Sequence, residues 1–159
     1  MNKSEFLENL RREHDAWETQ LSRVDSDQMT QPGVVGDWSV KDLVAHVTWS
    51  EREMLDVLET MTLVGSELWQ LSNDERNAIV YEQNRHRPLD EVLLEERDVY
   101  QRLLDLIRGL NDQDLNDPHS FKDMPDDWIP WMVLRGNTYK HYREHSQNLQ
   151  AWLDSKVKI

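Results

Sequence analysis

DWSVKDLVAHVTWSEREMLDVL, Asp37 to Leu58, decides the fold class. Ser39 stands where a helix cap belongs, Asp42 follows three residues later as in a capping box, and Trp38 can staple onto Leu43. Behind the cap, Val40, Leu43, Val47, Met54, Leu58 and Met61 put apolar side chains on one helical face as far as Gly65. A sharply started, long, one-faced helix needs other helices to cover it.

The sequence supplies them on both sides. From Ser4 to Val24, the residues Phe6, Leu10, His14, Trp17, Leu21 and Val24 follow a 4-4-3-4-3 spacing, again one helix face. MTQPGVVGD, Met29 to Asp37, breaks that pattern with a proline and two glycines. Glu67 to Arg87 is weakly amphipathic and stops at Pro88; Leu89 to Leu110 is stronger, with Val92, Leu93, Val99, Leu103, Leu104, Ile107 and Leu110 inward. Asn111 to Asp127 has loop composition. A last helix opens after Asp126 or Asp127, tolerates Pro130 in its first turn, and runs to about Leu153. Strand-like alternation never lasts more than a few residues. The expectation is an all-α four-helix bundle with one subsidiary helix, a single domain over residues 1–159.

Composition narrows the function classes. The net charge of −13, with basic residues scattered among acids, repels phosphate backbones and anionic lipids, so no nucleic-acid partner and no membrane partner are expected. No apolar run approaches the roughly 20 residues of a membrane span, and the N-terminus has no apolar signal segment. Zero cysteines exclude disulfides, thiolate metal sites and a cysteine nucleophile. A cytoplasmic protein is the simplest reading, and a homodimer is the default for bundles that pair through helix faces.

Chemistry concentrates on the last helix, in NTYKHYREHSQNLQAW, Asn137 to Trp152. Leu134, Thr138, His141, His145, Leu149 and Trp152 share one stripe at 4-3-4-4-3 spacing, which turns both histidines toward the bundle interior. Imidazoles at i and i+4 project from one face and can share a metal ion. His46, two turns into the capped helix, is the natural third ligand, since a catalytic divalent site typically uses three protein ligands and one open position. Three imidazoles suit a divalent ion, zinc or nickel first, with cobalt and iron also compatible. Surface or structural histidines explain most isolated HxxxH pairs, so both readings stand at this point.

Other polar residues fall at helical offsets around the trio: Asn137 before His141, and Asp42, Ser50 and Glu53 around His46. Any of them can orient an imidazole or serve a bound water as base, and Glu53 is the first choice of base, although Asp42 reads better as a cap. Tyr81 and Asn84, i and i+3 in YEQNRHRP, are further catalytic candidates. His14 reads as a hydrogen-bonded core histidine, and His86 and His119 as solvated. Trp49, Trp128, Trp131 and Trp152 either wall a pocket or simply pack the core.

GVVGDWSVKDLVAHVTWSE, YEQNRHRPLDEV and NTYKHYREHSQNLQAW resemble, in order, the signatures of the ClbS/DfsB family, a branch of the DinB-like superfamily of four-helix bundles. The resemblance spans the chain from its first helix to Trp152. It implies one metal-binding histidine on the second helix and an HxxxH pair on the last, positions that match His46, His141 and His145. It also implies a small-molecule substrate: superfamily members include metal-dependent thiol transferases and hydrolases, and the branch is named for a protein that inactivates a cyclopropane-bearing genotoxin. Tyr81, Glu82 and Asn84 fall in a block the branch shares, but no residue specific to cyclopropane opening carries over. Three expectations follow: a metal-dependent hydrolase or transferase-like enzyme, a metal-independent self-resistance protein that opens or sequesters an electrophile, and a non-catalytic small-ligand module.

Overall fold

Ser39 and Asp42 cap the second helix as the sequence expects. The Asp42 N–H donates to Ser39 Oγ at 3.2 Å and the Ser39 N–H donates to Asp42 Oδ2 at 2.9 Å. Helix α2 (Val40–Thr60) therefore starts with two of its otherwise unpaired N–H groups satisfied. It ends at Met61, whose φ of 46° is left-handed, and the chain beyond is pinned by a bridge between Thr62 and Lys122. Trp38 lies with its ring 5.1 Å from that of His46.

The computed structural model describes residues 1–157. Its long helices are α1 (Lys3–Ser22), α2, α4 (Leu89–Arg108) and α7 (Tyr139–Val157), with α3 (Asn73–Asn84) the subsidiary helix seen in the sequence. Helix α2 packs chiefly on α4 and α1 on α7, while α3 lies against α2. Phe6, Leu10, Trp17, Leu43, Leu103, Ile107 and Leu149 fill the space between them. Each such side chain contributes about 1.5–3 kcal/mol by leaving water, which is why an acidic chain with few apolar residues still closes a core. Among the described residues there are no strands, only two isolated bridges, and no helix is long and apolar enough to cross a membrane.

Three details depart from the sequence reading. The stretch from Glu67 divides into a 3-10 turn (Glu67–Gln70) and α3, because Ser72 and Glu75 form their own capping box and start a new helix. The segment expected as loop holds a short helix, α5 (Asp112–Asn116), capped the same way by Asn111 and Asp114. The last helix is broken into α6 (Pro130–Asn137) and α7 at Thr138, which sits at φ −129° and ψ −103°. Its cause is local. The Asn137 amide donates to the Val133 carbonyl and the Thr138 hydroxyl to the Leu134 carbonyl, so side chains take acceptors that a continuous helix would use.

The capping box generates a test. Ser39→Ala should lower unfolding free energy by about 1 kcal/mol in urea titration with an unchanged m-value. A variant as stable as the parent would show that α2 is held by packing alone.

Candidate functional site

The helix that Ser39 starts carries His46 into the seam facing α7, where His141 and His145 meet it. His46 Nε2 and His141 Nε2 are 2.9 Å apart. The ring centroids of the three residues are separated by 4.7, 5.0 and 4.6 Å, and one ligand atom from each lies within 4.8 Å of the others. The break at Thr138 does not scatter the stripe, since Leu134, Thr138 and Leu149 are all buried alongside.

The electrostatics favour three neutral rings. Burial pulls His46 down to about 3, and the positive potentials of His145 and Arg76 add to that. Burial also holds His141 well below the ordinary imidazole range, with the other two histidines adding to it. His145 is lowered by burial, against the opposing effects of Asn148 and Glu144. His145 Nδ1 lies 3.0 Å from Asn148 Oδ1, an arrangement in which the ring donates from Nδ1 and presents a lone pair at Nε2. The Nδ1 atoms of His46 and His141 are buried without a hydrogen-bond partner, so only the contact at Nε2 sets the tautomers of those rings.

This donor set fits a divalent ion. Two nitrogens that each bind one ion at about 2.0–2.1 Å lie within roughly 4.2 Å of each other, a limit the 2.9 Å separation satisfies. Three uncharged imidazoles at neutral pH, each able to offer a lone pair once the His46–His141 hydrogen bond is exchanged for the ion, are also what zinc or nickel binding requires.

Other expected site residues have different surroundings. Glu53 Oε2 accepts from the Ser66 N–H and from Trp69 Nε1–H, both at 2.8 Å, so this oxygen anchors the loop after α2. Tyr81 stacks on Trp38, with ring centroids 6.1 Å apart, and Trp38 is the ring next to His46. Asn84 is buried, donating to the Val80 carbonyl and accepting from Arg87. Asp42 is the cap described above, and His86 and His119 are exposed. A separate groove of about 540 Å³ is lined by Met54, Leu63, Trp69, Trp128, Met132 and Asn137 among others. None of the three histidines lines it; Asn137, four residues before His141 in the sequence, does.

His14 is the hydrogen-bonded core histidine that the sequence indicates, while its carboxylate partner and the rest of its buried polar network went unread. His14 Nε2 lies 2.5 Å from Glu96 Oε1, and its ring stacks on Tyr100 at 3.3 Å. The Tyr142 hydroxyl donates to Glu51, which is wholly buried. Burial pushes the Glu51 carboxyl well above the usual range, and the Glu96 and Glu18 charges push it further against the pull of the Tyr142 bond. The signal was available: Glu51 fills the gap between Val47 and Met54 on the α2 stripe, and Glu96 the gap between Val92 and Val99 on α4. A charged residue in core register marks a buried partner.

Comparison with known proteins places the fold. The family model for the mycothiol maleylpyruvate isomerase N-terminal domain matches residues 10–137. No match was found among curated proteins. Solved structures similar in fold include an uncharacterised protein from Escherichia coli UTI89, with TM-score 0.80 and 14% identity, covering 98% of this chain and 95% of that one. The colibactin self-resistance protein ClbS, in complex with a dsDNA, gives TM-score 0.78 and 15% identity, with 94% of each chain covered. The sibling lethal factor precursor DfsB gives TM-score 0.81 and 14% identity, covering 100% of this chain and 99% of that one. At such identity the likeness establishes the fold and nothing of the chemistry.

One expectation is corrected by these structures. The net charge was read as excluding a nucleic-acid partner, yet ClbS, with the same fold, is found on dsDNA. A net total says nothing of how charges are distributed over one face, so the exclusion does not follow from it.

The trio generates a pH test. In unfolded chains histidines titrate near 6.5, whereas folded His46 titrates at about 3. Between these values the unfolded chain binds more protons, so stability is full above 6.5 and falls as pH drops through that window. Urea unfolding in the presence of a chelator should show this loss between pH 7.5 and 5, and His46→Gln should flatten it. An unchanged slope in the variant would mean that His46 is not held neutral by the fold.

Proposed function

The chain belongs to the mycothiol maleylpyruvate isomerase N-terminal domain family of the DinB-like superfamily, and from that premise we propose that it is a cytoplasmic, metal-dependent enzyme acting on a small molecule. The observation that carries this reading is the convergence of His46, His141 and His145, three largely enclosed neutral imidazoles on two facing helices. They would hold a divalent ion, zinc or nickel. When bound, such an ion supplies Lewis-acid activation of a water or an electrophilic substrate, the basis of hydrolase and transferase chemistry.

The chain's own residues provide the rest. Asn148 fixes the His145 tautomer so that its Nε2 faces the other two rings. Trp38 lies beside the His46 ring and limits water on that side. The groove provides an apolar bed whose exposed rim, at Trp128 and Met132, admits a ligand from solvent. Glu53 holds one wall of that bed through Ser66 and Trp69.

A second reading draws on the likeness to ClbS and DfsB: a metal-independent self-resistance protein that opens or sequesters a reactive electrophile. In that case the histidines would act as acid, base or hydrogen-bonding groups. The two readings part on chelation, since activity that survives exhaustive EDTA treatment belongs to the second.

Metal analysis of protein purified without a histidine tag tests the first reading. One equivalent of zinc or nickel per chain is expected, falling at least tenfold in occupancy in His46→Ala, His141→Ala or His145→Ala under limiting metal. Absence of metal, or uptake indifferent to all three substitutions, contradicts it.

A further inference from the structure

A cation stands behind one of the residues that line the groove: Arg76 is stacked on Trp69. The groove's volume of about 540 Å³ suits a small organic molecule, and its lining is mostly apolar. Trp69, Trp128 and Met132 remain 37%, 44% and 48% exposed, an open apolar patch in a chain of net charge −13. Trp69 is held in place rather than left loose. Glu53 accepts its indole N–H, and Gly65 leaves room for the contact, since a Cβ there would meet Trp69 Cδ1 at 2.7 Å.

Over the Trp69 ring, 4.6 Å from its centroid, lies the guanidinium of Arg76 from α3. Its one side-chain hydrogen bond is to the neutral Asn73 amide, and among the described residues no carboxylate stands within ion-pair distance of it. A guanidinium stacked on an aromatic face keeps its N–H edge free for a carboxylate or similar anion. Nearby acids do not take it up: Glu53 is engaged by Ser66 and Trp69, and Glu75 by the Ser72 cap.

Resting on the reading of groove and trio as one small-molecule site, we propose that the substrate is a flat, apolar-bodied anion, its body against Trp69 and Trp128 and its negative group on Arg76. The apolar body explains an exposed aromatic groove, and the anion explains an arginine with no acidic partner. Without Arg76 the acidic chain would repel such a molecule.

The test uses chelator-treated, metal-free protein, so that Arg76 and not a metal ion supplies the positive charge. Calorimetric titration compares 2-naphthoate with 2-naphthylmethanol, which has the same body without the charge. Naphthoate should bind at least tenfold more tightly. Arg76→Gln should abolish that preference while leaving the alcohol's affinity unchanged, and Trp69→Ala should weaken both ligands. Equal affinities in the parent, a preference that persists in Arg76→Gln, or no binding of either ligand overturns the proposal. His141→Ala separates it from the metal reading: a preference retained there supports the anion site even if metal binding fails. Metal uptake without any preference sinks the anion site alone.

Discussion

Helix α2 is enclosed along most of its length, and this constraint shapes everything around it. Its residues from Val40 to Leu58 are almost all buried, polar ones included. A side chain there cannot turn to water, so His46, Glu51 and Glu53 must each find a partner inside the protein. His46 finds the α7 histidines, Glu51 the Tyr142 hydroxyl, and Glu53 the loop that carries Trp69. Three solutions to one problem build, in turn, a ligand-competent cluster, a tie across the core and the wall of a groove.

The cluster and the tie are adjacent on α7, since Tyr142 follows His141 directly. The Glu51–Tyr142 contact fixes α7 against α2 one residue from the histidine whose Nε2 faces His46. Deeper in the bundle, His14 and Glu96 join α1 to α4 in the same manner. Buried polar contacts of this kind add little net stability beside apolar packing. Their effect is on register: a helix that slid by one turn would leave a carboxyl or an imidazole without its partner.

Much of this was legible in the sequence, for a physical reason. The Ser39 cap, the apolar stripes and the 4-residue spacing of His141 and His145 are local patterns, and local geometry converts them directly into faces. His46 was legible because its helix had a marked start, which fixed its register. The break at Thr138 was not, because it depends on which of two competing acceptors the Asn137 and Thr138 side chains choose. The role of Glu53 was also hidden, since its partners Ser66 and Trp69 arrive from a loop whose path no periodicity encodes. Arg76 went unnoticed for the same reason: α3 brings it to Trp69 only in three dimensions. Glu51 and Glu96, by contrast, stood in core register and were readable.

The proposed metal centre is the set of three neutral imidazoles between α2 and α7. Anomalous diffraction from crystals grown with nickel addresses it most directly. One anomalous peak is expected within about 2.2 Å of a nitrogen from each of His46, His141 and His145. No peak there, with His46 and His141 still hydrogen-bonded to each other, would contradict it.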